Sequence, residues 1–305
     1  MMKIISRRKI NEDRLSRGFT LLEILVVITI IGILAAIITV GMSMASDRAK
    51  IARGQVFSNS VRDSLMSNRV SEWKFDENGG TAAKDTVGGN NATLTNTPTW
   101  KSGLDCVSGS CLDFDGTDYV LGPDNSSLRI TGDLTLSFWV KPDVLDNDFM
   151  PIVTKEYTRE WLIAADVRGA ARAIAWRHGD GAVEYGTFNN VFTDGEVWYH
   201  IVCSRTLSPK EITCYKNGIK LGTVPYIKDV VSGTNPLTIG SGLTYYYNGL
   251  IDEVRIYDSA LTISAIRNDY LAGLARLLAS GGITKDDYRQ RLFQLSSGDY
   301  AIVEK

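Results

Sequence analysis

The sequence predicts a multi-part α+β chain: a long N-terminal transmembrane spine helix, an all-β sandwich head and a short C-terminal helical hairpin. Three observations carry that reading. Residues 24–46 contain no charged side chain, which at about 1.5 Å per residue is enough to cross a bilayer core of about 30 Å. From about Ser71 to about Tyr257, short runs of two-residue periodicity are punctuated by Gly, Asn, Asp and Thr, the mark of an antiparallel sandwich or barrel. Beyond Leu261, apolar residues return to helical spacing at Ile263, Ile266, Leu271, Leu274, Leu277 and Leu278.

The elements follow in order. Residues 1–18 form a basic leader, with Lys3, Arg7, Arg8, Lys9, Arg14 and Arg17 against Glu12 and Asp13, a net charge of +4. Positive charge beside an apolar span keeps that end cytoplasmic. Residues 19–70 read as one helix, apolar first and then amphipathic, with Phe57, Val61 and Leu65 at four-residue spacing and no proline. Glu23 sits near the start of the apolar part, where a lone carboxylate in lipid requires a partner.

Residues 71–262 hold the strands, among them Leu134–Val140, Trp198–Val202 and Leu250–Tyr257. Some 190 residues are ample for one sandwich core. Lys216-Asn217-Gly218-Ile219 predicts a hairpin, because Asn-Gly suits a primed turn. In residues 263–305, Gly281-Gly282 breaks the helical pattern. Ile283-Thr284 and Asp287 then read as the cap of a second helix ending near Leu295.

The run Arg17-Gly18-Phe19-Thr20-Leu21-Leu22-Glu23 and the apolar stretch after it resemble the N-terminus of type IV prepilins and pseudopilins. The resemblance implies cleavage after Gly18 by a membrane prepilin peptidase and methylation of Phe19. It also implies that Glu23 neutralises the amine of a neighbouring identical or related subunit on an inner-membrane assembly platform. The chain is then a single-pass precursor in the inner membrane and later part of an extracellular filament. Where many pilins have a helix-kinking proline, this chain has Val40 and Gly41.

A second ordered set of runs is Phe75–Gly80, Asp85–Leu94, Leu112–Val120, Phe138–Pro142, Trp198–Val202 and Gly249–Tyr257. It resembles the laminin-G-like, concanavalin A-like lectin/glucanase superfamily. The resemblance implies a jelly roll of two curved sheets, with Trp73, Trp100, Trp139, Trp198 and His200 as structural residues. It also implies a structural Ca2+ held by Asp85, Gly88 through its carbonyl, Asn90 (or Asn91) and Asp252. The alternative for that loop is a turn held by Asx hydrogen bonds.

An exported protein with four cysteines favours disulfides over metal binding. Of the three possible pairings, Cys106–Cys111 with Cys203–Cys214 is preferred. The alternative for the second pair is free cysteine packed in the core.

Glycosidases of this superfamily place two carboxylates on alternate strand residues, about 5.5 Å apart. Asp252 and Glu253 are adjacent, and Asp113 and Asp115 alternate at a strand end used structurally. His178 and His200 have no ligand-spaced neighbours. The expectation is a protein that is not an enzyme. Formal charge is −2 overall and about −6 without the leader, and no basic stripe marks the head. Nucleic acid is therefore not an expected partner.

The superfamily's lectins point instead to a surface glycan or a protein. Tyr245-Tyr246-Tyr247 among glycines suits a binding loop, with strand-end packing as the alternative, and Trp161 and Trp176 are further candidates whose alternative is to fill the sandwich. The implied function is a filament subunit displaying an adhesive head. The other reading is a minor pseudopilin of a secretion system with the head as spacer.

Overall fold

The computed structural model describes residues 21–22, 24–34, 68–145, 148–169 and 171–303, without the side chains of 298–303. The chain divides into two compact units, residues 1–56 and 57–305. In the first, residues 24–34 are helical and exposed. The one polar residue among them, Thr29, donates its hydroxyl to the carbonyls of Leu25 (3.0 Å) and Val26 (2.8 Å). The helix thus shows its apolar surroundings no unsatisfied side-chain group.

These residues rise about 16 Å, and among the described residues no helix is long and apolar enough to cross a membrane. Most of the expected span over 24–46 lies outside the described residues, as do Gly18, Phe19, Glu23 and the stripe of Phe57, Val61 and Leu65.

The second unit is a sandwich of two antiparallel eight-stranded sheets. The first runs Ile219–Pro225, Lys210–Lys216, Tyr199–Leu207, Leu134–Pro142, Asn248–Tyr257, Ser110–Asp115 and Thr99–Ser102, with Arg69–Trp73 also paired to Asn248–Tyr257. The second runs Val183–Phe188, Ala173–Gly179, Leu162–Asp166, Phe149–Thr154, Thr238–Ile239, Tyr119–Leu121, Ala92–Thr95 and Ala82–Ala83. A small hairpin, Ser241–Gly242 with Tyr245–Tyr246, belongs to neither. The first strand starts at Arg69, slightly before the expected boundary, because Arg69 pairs with Tyr257 and the Asn68 carbonyl accepts the Asp258 N–H at 3.0 Å.

Alternation builds the core. In Leu134–Pro142 the residues Leu134, Leu136, Phe138 and Val140 join the central cluster, where Trp73, Phe114, Trp161 and Trp176 also lie. Burying each such side chain contributes about 1.5–3 kcal/mol. Trp139, one position out of phase, faces the other way and packs with Trp198, Leu250, Tyr270, Leu274 and Leu277. Those last three residues belong to the helix Ile263–Ser280, so the C-terminal helices rest on the outer face of the first sheet.

Asn217 (φ +53°) and Gly218 (φ +76°) form the predicted primed turn between Lys210–Lys216 and Ile219–Pro225. Thr262 caps the first C-terminal helix by accepting the Ala265 N–H at 3.3 Å. Thr284 and Asp287 form a reciprocal box at the head of the second, each accepting the other's backbone N–H at 3.1 Å. That helix, Lys285–Val303, continues past the expected end at Leu295. Cys106–Cys111 and Cys203–Cys214 are both bonded, and the second pair sits directly opposite across neighbouring strands.

Candidate functional site

The helices use up the outer face of the first sheet, and the outer face of the second is left open. Strand register lays one row across that open face. Leu121, Thr238, Thr154, Leu162, Arg177 and Tyr185 each stand opposite the next. Leu162 clusters with Phe149, Ala164 and Ala175, separately from the central core.

The segment after Thr238–Ile239 folds back over this row. Gly240 has φ +84° and lies so close to the Phe114 ring that a Cβ would come within 2.6 Å of it. Gly242 presses on Thr154, Pro151 and Leu162, where a Cβ would meet Thr154 Oγ1 at 2.6 Å. The hairpin therefore stands on the sheet as a ridge.

Between this ridge, the Lys155–Tyr157 turn and Asn235–Pro236 lies a cleft of about 470 Å³, within the usual range for a ligand site. Leu121, Thr154 and Thr238 form its floor, and Tyr119, Tyr245 and Tyr246 its aromatic walls. Tyr246 tilts on Tyr119 with ring centroids 6.2 Å apart, and Tyr245 meets Phe149 edge-on at 5.6 Å. Tyr245 is 40% exposed, so its ring has a free face.

One wall is stiffened by ions. Buried Lys155 donates to Asp124 Oδ1 (2.7 Å) and to the Asn235 carbonyl (2.5 Å). Arg129 and Lys155 together hold the Asp124 carboxyl well below the usual carboxylate range.

The structure brings together only part of the expected ligand set. Tyr245 and Tyr246 line the cleft, whereas Tyr247, Trp161 and Trp176 are fully buried and belong to the central core. Tyr247 packs edge-on to Phe114, burial pushes its phenol well above the usual range, and no ligand reaches it. Trp176 donates its Nε1–H to His178 Nδ1 at 2.8 Å. Tyr119 and Tyr157 join the cleft from distant segments, and no local motif in the sequence marks them.

The residues expected to hold calcium make the following hydrogen bonds within the protein. Asp85 Oδ1 accepts the N–H groups of Glu72 (2.9 Å) and Val87 (3.0 Å), and Oδ2 accepts that of Asn90 (3.0 Å). Asn91 Oδ1 accepts the Asp85 N–H, and Asn90 Nδ2 donates to the hydroxyls of Ser71 and Ser127. Gly88 packs against the Val70 carbonyl, where a Cβ would sit 2.0 Å away.

These bonds are those of an Asx-held turn. Trp73 is bridged to Asp85 on one edge and paired with Val254 on the other. The backbones of Asp85 and Val254 are thus two strand spacings, about 10 Å, apart. Asp252 Oδ2 accepts the N–H groups of Val107 (2.9 Å) and Ser108 (3.2 Å), beside the Cys106–Cys111 loop. Among the described residues, no group of three or more His, Cys, Asp or Glu side chains is set to hold a metal.

The adjacency argument for Asp252 and Glu253 also needs correction. Glu253 has φ +53° and the register shifts between Asp252 and Arg255, so simple alternation fails there. Both carboxylates are buried, and neither lines the cleft. Burial, then the neighbouring Glu253, pushes Asp252 well above the usual carboxylate range.

His200 Nε2 lies 3.1 Å from Ser137 Oγ and 3.3 Å from Asp269 Oδ2. A triad needs serine and carboxylate on opposite ring nitrogens. Here they share one, so this buried group pins the helix Ile263–Ser280 to the sheet.

Residues 114–267 match the Concanavalin A-like lectin/glucanases superfamily, and residues 13–39 match the Prokaryotic N-terminal methylation motif. No curated protein matches the chain. Among solved structures, it is similar to domain 4 of AbnA, a GH43 extracellular arabinanase from Geobacillus stearothermophilus, in complex with arabinotriose. That match has 21% identity over 67% of this chain and 98% of that one, with a TM-score of 0.54. The binding domain of Paraclostridial Mosquitocidal Protein 1 matches at 18% identity over 69% of this chain and 53% of that one, TM-score 0.56. A botulinum neurotoxin type C structure, whose cell entry depends on interaction with two ganglioside molecules, matches at 13% over 70% and 53%, TM-score 0.53. The chain spans about half the length of those two toxin chains. These likenesses are ones of fold.

Proposed function

Because the chain belongs to the Concanavalin A-like lectin/glucanases superfamily and carries a Prokaryotic N-terminal methylation motif, we propose that it is a type IV pilin-like filament subunit whose head binds a surface glycan. The observation that carries the binding half is the cleft between Tyr119, Tyr245 and Tyr246 on the open sheet face. Flat amphipathic rings over a half-polar floor suit the apolar faces and hydroxyl edges of sugars. The arabinotriose bound by the similar AbnA domain supports a saccharide as ligand.

The filament half rests on the methylation motif. On this reading a prepilin peptidase cuts after Gly18, Phe19 is methylated, and Glu23 pairs with a neighbouring subunit's amine during assembly. The exposed apolar helix over 24–34 is covered first by lipid and then by related subunits. The head binds without catalysing: among the described residues Glu156 is the only carboxylate lining the cleft, and glycoside hydrolysis needs a pair.

The test is a glycan array probed with the full chain in detergent, and with the double variant Tyr245→Ala, Tyr246→Ala. Binding by the parent that the variant loses at least tenfold is the expected result. An array blank for the parent overturns the lectin reading, as does equal binding by the variant, and either leaves the pseudopilin with a spacer head.

A further inference from the structure

We infer that the open sheet face recognises an acidic saccharide, with Arg177 receiving the sugar's carboxylate or sulfate beside the tyrosine cleft. The inference rests on the glycan reading and deepens it by naming the ligand's charge.

Four observations lead there. Arg177 stands in the row that forms the cleft floor: Thr154 is opposite Leu162, and Leu162 is opposite Arg177. Two strand spacings, about 10 Å, therefore separate the floor from the guanidinium's strand position. Second, the guanidinium lies between two rings, 4.2 Å from the Phe149 centroid and 5.3 Å from that of Tyr185. Tyr185 is 63% exposed. Third, among the described residues Arg177 makes no hydrogen bond and no ion pair, and its Nε is buried without a partner. A guanidinium carries five donors in a planar fork suited to a carboxylate or sulfate, and none of these is used internally.

Fourth, Arg177 lacks the hydrogen-bonded carboxylate that its neighbour has. Arg168 approaches the same Phe149 ring at 4.9 Å. It is neutralised by Asp166, which accepts from its Nε at 2.8 Å and Nη2 at 2.7 Å. Among the described residues no carboxylate hydrogen-bonds Arg177; burial lowers its pKa, with Arg168 adding to the effect and Tyr185 and Asp166 opposing it. Cation–π contacts are weaker than a charge-assisted bidentate pair. A ligand anion supplies the missing partner. Tyr245 meets the same Phe149 ring edge-on, so a saccharide stacked on Tyr245 extends along this face toward Arg177.

The experiment compares three probes on the full chain in detergent by titration calorimetry. These are a galacturonate trisaccharide, its neutral methyl ester and a sulfated galactose trisaccharide. At least one acidic probe binds tenfold or more tightly than the ester, and the preference shrinks in about 1 M salt, where the screening length falls to about 3 Å. Which anion wins identifies the group received. Arg177→Gln loses the preference and keeps the ester's affinity. Arg177→Lys, which retains charge without the fork, keeps a reduced preference and serves if the glutamine variant does not fold.

An ester that binds as well as both acids overturns this inference alone, and so does a preference that survives Arg177→Gln. Absence of binding by every probe, on a protein whose array is also blank, overturns the glycan reading with it.

Discussion

Replacing Arg255 with methionine tests what holds the head closed. Arg255 is buried and donates to Glu72 Oε1 at 2.8 Å and to Asp269 Oδ1 and Oδ2 at 2.8 and 3.0 Å, and it also pairs with Glu253. It therefore joins the first strand, the last strand and the helix Ile263–Ser280. Methionine fills similar space but removes the shared cation from two buried carboxylates, leaving Glu72 to Arg69 and Glu253 to Arg276. Breaking a buried pair in this way costs about 3–5 kcal/mol, which at about 2–4 °C per kcal/mol lowers Tm by about 10–15 °C.

The pH dependence gives a second readout. Burial pushes Glu72 up, but Arg255 and then Arg69 outweigh it and bring its pKa from 4.5 to about 2. A depressed carboxylate contributes stability that is present above the unfolded pKa and lost as pH falls through the folded one. At about 1.4 kcal/mol per unit this is about 3 kcal/mol. The gap between parent and Arg255→Met should be widest above pH 4.5 and close toward pH 2.

Thermal unfolding of the full chain in detergent, followed by tryptophan fluorescence across that range, measures both quantities. A Tm within a degree or two of the parent, or a gap that ignores pH, refutes the reasoning. Glycan affinity at low temperature should not change, because the cleft belongs to the other sheet.

Three further predictions concern processing, assembly and acid response. Removing the 18-residue leader from 305 leaves a chain of 287 residues starting at Phe19. Mass spectrometry that finds the leader intact in cells with active prepilin peptidase contradicts the pilin reading. Glu23→Ala should insert in the membrane yet give few filaments, counted by electron microscopy, and normal yield removes its pairing role. Burial, with nearby Arg205 adding, lowers His178 to about 4 from 6.5. Its neutral form is favoured in the fold, so about 3 kcal/mol of stability is present above pH 6.5 and lost as pH falls toward 4. In His178→Phe the melting temperature should decline less across that window, and an unchanged decline assigns the acid response elsewhere.

Much of the fold was legible because it is encoded locally. The Asn217-Gly218 turn, the Thr284 and Asp287 box and the alternation in Leu134–Pro142 each follow from a few adjacent residues. The end of the last helix was not, since the apolar spacing stops at Leu295 while the backbone of Lys285–Val303 continues without a breaker strong enough to stop it. The site was half legible. Three consecutive tyrosines among glycines announced a loop, but only the tertiary path decides that Tyr247 turns inward under Gly240, to which it donates its backbone N–H at 2.8 Å. Trp161 and Trp176 show the same limit, because a tryptophan in an alternating strand fits either face until register is known. The bulge at Glu253 likewise defeated an argument from strict alternation.

The residues that complete the site were hidden for a physical reason. Tyr119, Thr154, Arg177 and Tyr245 come from four separate stretches of chain, and only cross-strand pairing aligns them. The two outer faces of the sandwich then receive different treatment from the same sequence. On the first sheet, out-of-phase Trp139 and Leu250 demand a cover, and the helix bearing Tyr270, Leu274 and Leu277 supplies it. On the second, Phe149 and Leu162 demand one too, yet the chain provides only a short ridge and the stems of two arginines. Polar floor, exposed tyrosine and an unanswered guanidinium remain in the open. An aromatic face left uncovered, with a guanidinium that no carboxylate among the described residues hydrogen-bonds, is the strongest physical argument that this face meets something else.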